Sequence, residues 1–406
     1  MRYRRFGRLD WNVSALGFGC MRLPTEEDRA NINEPEATRM VRWAIDHGVD
    51  YFDTAYPYHG GNSERFLGRV LKDGYREKVR LATKLPSWLI ESPEDFDRYL
   101  NEQLEKLQAE HIDFYLLHGL NKDRWSKLHD LDVLKWAEGA MADGRIGHLG
   151  FSFHDKYEVF QEIIDAYEGW TLCQIQYNYM DVEEQAGTRG LKYAASKGLA
   201  VVVMEPIRGG RLANPPQPVQ EFWDAAERKR TPTDWALQWV WNHPQVSVAL
   251  SGMSTMEQVK ENIASADASG PNTLTGEELA LIAQVREKYR ELCPIPCTKC
   301  EYCMPCPNGV NIPRNFEIFN EGVMYNRLDS ACGAYGRLSE AERASECIQC
   351  QQCEELCPQY IPISEWMVQV HKVLSEGQLY ADAKIRWLLT SISPKNDRVR
   401  ASVSLR

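Results

Sequence analysis

The sequence has no apolar run long enough to span a bilayer, although 43% of its 406 residues are hydrophobic, ample for a globular core. The N-terminus, Met1-Arg2-Tyr3-Arg4-Arg5-Phe6, is basic but has no apolar core or small-residue cleavage site. It does not read as a secretory signal. Positive charge is not in excess either: the formal net charge is -11, which argues against nucleic acid as a partner. No Gly-x-Gly-x-x-Gly opens a helix after the first predicted strand, which weighs against a dinucleotide-binding open sheet. Cysteine is nearly missing from the first 290 residues, where only Cys20 and Cys173 occur. The other ten lie between Cys293 and Cys357. Disulfide stapling suits small secreted domains, so this crowding predicts metal or cluster ligation in a reducing cytoplasm.

A chain of this length exceeds one ordinary core, and two modules are expected, 1–290 and 291–406. Residues 1–14 read as a hairpin turned by Gly7-Arg8-Leu9-Asp10. Strands are predicted at Ala15–Cys20, Val49–Asp53, Val79–Lys84, Ile112–His118, Ile146–Ser152, Leu172–Tyr177, Ala200–Met204 and Val246–Ser251. Amphipathic stretches alternate with them: Glu34–His47, Asn62–Lys72, Pro93–Gln108, Asp132–Ala142 and Pro232–Asn242. Several strands are apolar on both faces, as helix-covered parallel strands are. The count and spacing predict an α/β fold, a (β/α)8 TIM barrel, with a doubly wound sheet as the alternative. Thr275–Leu292 reads as a helix with Thr275 and Glu278 as its capping box. Cys293-Pro294-Ile295-Pro296 breaks it, and a small, mostly α-helical ferredoxin-like domain is expected beyond. Ser339–Glu346 and Ile363–Glu376 look helical there. Ala381–Thr390 is amphipathic and reads as packing against the protein rather than lying on a membrane.

Three predicted strands end in residues that carry chemistry. Gly48-Val49-Asp50-Tyr51-Phe52-Asp53 runs into Thr54-Ala55-Tyr56-Pro57-Tyr58. Lys84 and His118 close two otherwise apolar strands. Burying either is costly unless it is paired. In a barrel, residues at the C-terminal ends of strands face the active site, so Asp53, Tyr58, Lys84 and His118 would meet at one mouth. There an ammonium lowers the tyrosine pKa, a carboxylate holds the lysine, and histidine polarises a carbonyl oxygen. The bland alternative is that Asp53 merely caps the next helix. Trp88, Tyr56 and Trp125 are candidates for an aromatic pocket or for rim packing.

The Asp-Thr-Ala-x-x-Tyr run, with a strand-end lysine and histidine after it, resembles the aldo-keto reductases over residues 1 to about 290. The resemblance implies Tyr58 as general acid, tuned by Lys84 and Asp53, with His118 positioning the carbonyl of a small aldehyde, ketone or alcohol substrate. It also implies hydride from NAD(P)H lying across the mouth. Ser152 and Gln176 would hold the carboxamide, although Phe153 stands where the family commonly has asparagine. Met204 takes the place of a stacking aromatic ring. The loop Ser251-Gly252-Met253-Ser254, before a helix carrying Gln258 and Asn262, would cradle the pyrophosphate. Gln258 replaces the arginine with which many NADPH-dependent members pair the 2′-phosphate, and Arg208 would approach a phosphate from the other side.

Cys297-x-x-Cys300-x-x-Cys303-x-x-Cys306-Pro307 is followed by Cys347-x-x-Cys350-x-x-Cys353-x-x-x-Cys357-Pro358. The second has bacterial ferredoxin [4Fe-4S] spacing, and the first is shorter by one residue before its last cysteine. The Cys-Pro thiol in such motifs serves the neighbouring cluster, which groups Cys297, Cys300 and Cys303 with Cys357, and Cys347, Cys350 and Cys353 with Cys306. Paired zinc knuckles are the alternative. Cys293 and Cys332 are left over and read as plain buried residues, though either could replace Cys306 if the shortened spacing fails. The interval Gly309–Glu346 shows helical patterning rather than the alternating strands of a compact ferredoxin. Over its full length the chain resembles an iron–sulfur subset of aldo-keto reductases. Hydride carries two electrons and a cluster passes one, so three readings stand. The clusters are structural or redox-sensing beside an NAD(P)H reductase, they feed a flavin at the mouth, or the chain is an electron-transfer subunit docking a redox partner such as ferredoxin.

Overall fold

The computed structural model describes residues 1–28, 30–297 and 299–377. The amphipathic stretch Ala381–Thr390 lies outside them. The described chain forms two compact units: Met1–Gly210 with Arg230–Ile282, and Arg211–Lys229 with the chain from Ala283 onward.

In the first unit β1 (Tyr3–Arg5) and β2 (Asn12–Ser14) pair as an antiparallel hairpin. Eight parallel strands then close a barrel in the order β10-β3-β4-β5-β6-β7-β8-β9. They are β3 (Leu16–Gly19), β4 (Tyr51–Asp53), β5 (Arg80–Leu85), β6 (Ile112–Leu120), β7 (Ile146–Phe153), β8 (Leu172–Gln176), β9 (Ala200–Met204) and β10 (Val246–Gly252). All eight expected strands form. The helices between them are α1 (Glu34–Asp46), α2 (Asn62–Val70), α3 (Glu94–Leu107), α4 (Lys122–Asp130), α5 (Val133–Ala142), α6 (Tyr157–Asp165) and α7 (Gly187–Ser196). α8 (Gln217–Ala225) belongs to the second unit, and α9 (Pro232–Trp241) and α10 (Met256–Asp267) complete the barrel. α11 (Gly276–Glu291) spans the division between units and has the expected capping box. Thr275 Oγ1 accepts from the Glu278 amide at 3.1 Å, and the Glu278 carboxylate accepts from the Thr275 amide at 2.9 Å.

Strand residues two apart face the same side. Tyr51, Ala82, Phe114, Leu116, Leu172, Ala200, Val202 and Val248 fill the barrel interior together with Phe6 and Val13 of the hairpin. Gly7 turns that hairpin with φ +56°, and a Cβ there would stand 2.4 Å from the Ala200 nitrogen. The close approach requires glycine.

The second unit contains α12 (Ile312–Met324), α13 (Leu328–Gly336), the short α14 (Gln352–Glu355) and α15 (Ile363–Glu376) around a small core that includes Phe316, Phe319 and Trp366. Arg211 reaches Glu321 of α12 at 2.9 Å. Residues 339–346 depart from the expected helix: two 3-10 turns, Glu340–Glu342 and Ala344–Glu346, follow each other. Ser339 and Glu342 start the first with a capping box, and Arg343, extended at φ -73° and ψ 153°, breaks the chain between the two turns.

Candidate active site

The interior alternation continues to the C-terminal ends of the strands and ends in polar groups. Asp53 lies two residues beyond Tyr51, Lys84 beyond Ala82, His118 beyond Leu116, and Gln174 beyond Leu172. The period that fills the barrel therefore aims these four side chains at one mouth. Tyr58 comes from the turn after β4, where His59, Gly60 and Gly61 all have positive φ and fold the chain back.

Lys84 is the hub. Its Nζ donates to Asp53 Oδ1 at 2.5 Å, to the Thr54 carbonyl at 2.7 Å and to the Tyr58 hydroxyl at 3.4 Å. Gln174 Nε2 donates to the other Asp53 oxygen at 2.5 Å. The His118 ring stands edge-on to Tyr58, with centroids 6.1 Å apart, and Trp88 packs 5.1 Å from His118. Burial opposes the charge on Lys84, but Asp53 and Tyr58 outweigh it and raise its pKa. Burial, reinforced by the Lys84 charge, holds His118 well below the usual imidazole range and keeps it neutral. Tyr58 corrects an expectation: burial outweighs the nearby ammonium, and its pKa is raised rather than lowered. Of the aromatic candidates Trp88 reaches the mouth. Tyr56 instead packs under Lys106 and Tyr99, and Trp125 is buried beside His129 and Trp170.

In the second unit the cysteines line two cavities. One is lined by Cys306, Cys347, Cys350 and Cys353, and the other by Cys297, Cys300, Cys303 and Cys357. The grouping is the crossed one that the Cys-Pro spacing predicts; Cys293 and Cys332 line neither. The two loops bend alike. Lys299 and Gln349, each two residues after the first cysteine, have φ near +57° and +58°; Glu301 and Gln351, each just after the second, have +63° and +65°. These left-handed residues wrap each loop round its cavity and turn the thiols inward. Among the described residues no three His, Cys, Asp or Glu side chains converge tightly enough for a single ion. Four thiols line each cavity, one for each iron of a cubane.

A family model described as the aldo/keto reductase family matches residues 15–287. The chain belongs to the aldo/keto reductase family. A 4Fe-4S dicluster domain model matches residues 296–361 of this reductase. It is 26% identical over 313 residues to the L-galactose dehydrogenase of Arabidopsis thaliana, covering 71% of this chain and 95% of that one. It is 27% identical to the 6-dehydroglucose reductase of Novosphingobium aromaticivorans, over 64% and 88% of the two chains. The holo form of an aldo-keto reductase from Bacillus halodurans superposes with a TM-score of 0.59 at 28% identity, covering 70% of this chain and 96% of that one.

The residues expected to hold a cofactor in this aldo/keto reductase are unevenly engaged. Ser152 is buried and accepts from the Gly119 amide at 2.7 Å. Gln176 is committed at both ends, donating to Asp181 at 3.1 Å and accepting from Gln185 at 2.9 Å. Arg208 is ion-paired with Asp181 at 2.8 Å. Met204 ends β9, half-buried. Asn262 donates to Ser251 at 3.1 Å, Met253 is fully buried, and the Arg22 side chain packs on Gly252. Thr255 caps α10, and Gln258 Oε1 takes the Ser254 amide at 2.8 Å. Phe153, one residue past Ser152, points outward onto Phe160, 5.0 Å away. Sequence reasoning missed Gln174. Two glutamines at i and i+2 in an apolar strand put two amides on the inner face, and that pattern was the available signal.

Proposed function

We propose that this aldo/keto reductase interconverts a small aldehyde or ketone and its alcohol at the barrel mouth, with Tyr58 as general acid and base. One observation carries the reading: the buried Lys84 ammonium is bonded at once to Asp53 and to the Tyr58 hydroxyl. The mouth residues fit a ligand, since His118 Nδ1 is buried with no hydrogen-bond partner among the described residues. A nicotinamide cofactor bound there would supply or accept the hydride. The Tyr58 hydroxyl gives its proton to the substrate oxygen in reduction and recovers it in oxidation. Lys84, fixed by Asp53 and the Thr54 carbonyl, stabilises the phenolate left behind. Neutral His118 hydrogen-bonds the same oxygen and sets its approach to Tyr58.

The module fits two [4Fe-4S] clusters, one on Cys297, Cys300, Cys303 and Cys357 and one on Cys306, Cys347, Cys350 and Cys353. Such clusters would supply one-electron storage. The test is anaerobic iron and sulfide content with a visible spectrum, before and after NADH and then NADPH, followed by turnover of para-nitrobenzaldehyde. About eight irons per chain are expected. Bleaching by a nucleotide means that barrel and clusters share electrons through a go-between, whose flavin bands the same spectrum reveals. An unbleached spectrum makes the clusters structural or fed by a partner such as ferredoxin. Zinc in place of iron overturns the cluster reading, and nucleotide without aldehyde turnover overturns the carbonyl one.

A further inference from the structure

Two consecutive residues of α2, Ser63 and Glu64, are fully buried and belong to none of the groups above. Ser63 Oγ shares a 2.8 Å hydrogen bond with Thr54 Oγ1 and donates to the Cys20 carbonyl at 3.2 Å. Thr54 directly follows Asp53, and its carbonyl accepts from the Lys84 ammonium. Glu64 Oε1 accepts from Thr83 Oγ1 at 2.7 Å and from Gln103 Nε2 at 2.5 Å. Thr83 directly precedes Lys84, and Gln103 Nε2 also lies 3.1 Å from the Lys84 carbonyl. Tyr115 fixes the far end of Gln103, its hydroxyl donating at 2.6 Å. One turn of α2 thus grips the residue after Asp53, just past β4, and the residue before Lys84, on β5.

A carboxylate is an expensive way to fill this space, and an apolar side chain would avoid desolvating a charge. Glu64 does not repay that cost through a close ion pair: its Oε2 has no hydrogen-bond partner among the described residues, and the Lys106 ammonium stands 3.9 Å away. What Glu64 provides is one oxygen that takes two converging donors. We propose that Ser63 and Glu64 are positioning residues, a clamp that sets the separation of the β4 and β5 ends so that Lys84 reaches both Asp53 and the Tyr58 hydroxyl. This rests on the reading of Tyr58 as the acid.

The test compares Glu64→Leu, Glu64→Gln and Thr83→Val in the full chain. Steady-state reduction of para-nitrobenzaldehyde is followed against pH, and acetylation of Lys84 by acetic anhydride is read by mass spectrometry. Glu64→Leu is expected to lose about tenfold to a hundredfold in kcat with KM little changed. The alkaline limb of kcat moves up, because a displaced ammonium no longer lowers the Tyr58 pKa, and Lys84 is acetylated faster. Glu64→Gln keeps the accepting oxygen and recovers most of the loss. If Glu64→Leu does not fold, Thr83→Val, which removes one donor, carries the same readouts. An unchanged pH limb and unchanged Lys84 labelling in both variants overturn the clamp. If the wild type turns over no aldehyde, the acid role of Tyr58 fails, while the labelling rates still decide the clamp.

Discussion

The barrel mouth and the cysteine module bring distant residues together by opposite means. At the mouth, parallel strands in fixed register aim every second side chain inward, and the charges meet each other: Lys84 neutralises Asp53, and Gln174 takes the remaining oxygen. The charges of that site are balanced within the polypeptide itself. In the module, loops with left-handed turns at non-glycine residues point thiols at two cavities. Cys297, Cys303, Cys306, Cys347, Cys353 and Cys357 pack directly against its small core. Where the mouth is supported by hundreds of residues of barrel, the module relies on its ligands as part of the core, as small metal domains do.

The sharpest break of that comparison is iron removal. Anaerobic chelation under reducing conditions should melt α12, α13 and α15 and open the module to limited proteolysis, while the barrel keeps its thermal transition. Loss of both transitions together, followed by circular dichroism and peptide mapping, would show that the barrel depends on the module. The next largest effect belongs to the mouth. Tyr58→Phe should lower kcat by roughly 10²–10⁴-fold with iron content and the module's absorbance unchanged. The smallest effect is a shift rather than a loss. Reduction needs protonated Tyr58, so its kcat falls as pH rises through the tyrosine pKa, and oxidation gains over the same range. Burial raises that pKa and Lys84 lowers it. Lys84→Met should therefore move the reductive limb to still higher pH; a limb that stays or moves down would remove Lys84 from the tuning of Tyr58.

Much of this was legible in the sequence, for reasons that are local. An apolar run ending in a polar residue is a strand end whatever surrounds it, and so Asp53, Lys84 and His118 could be placed before any contact was known. The crossed grouping of cysteines was legible because the Cys-Pro spacing encodes it. Depth was not legible. The sign of the Tyr58 shift depends on how completely neighbouring strands exclude water, which no spacing reports. Nor could the sequence distinguish Gln174, which holds Asp53, from Gln176, which holds Asp181, since both face inward on β8. The grouping of Arg211–Lys229 with the second unit follows from long-range contacts such as Arg211 with Glu321, between charged residues that in sequence read as ordinary surface.

The exchange of Cys306 and Cys357 between cavities also has a consequence for the order in which the protein is made. A chain emerging from the ribosome presents Cys297, Cys300 and Cys303 well before Cys357, the thiol that completes their set. Cys306 emerges at the same early stage but belongs to the cavity of the later loop. Neither set of four exists until the second loop has been synthesised. On the proposed two-cluster reading, iron therefore enters only after the second loop has been made, and a product truncated before that loop has no complete site in which to trap it.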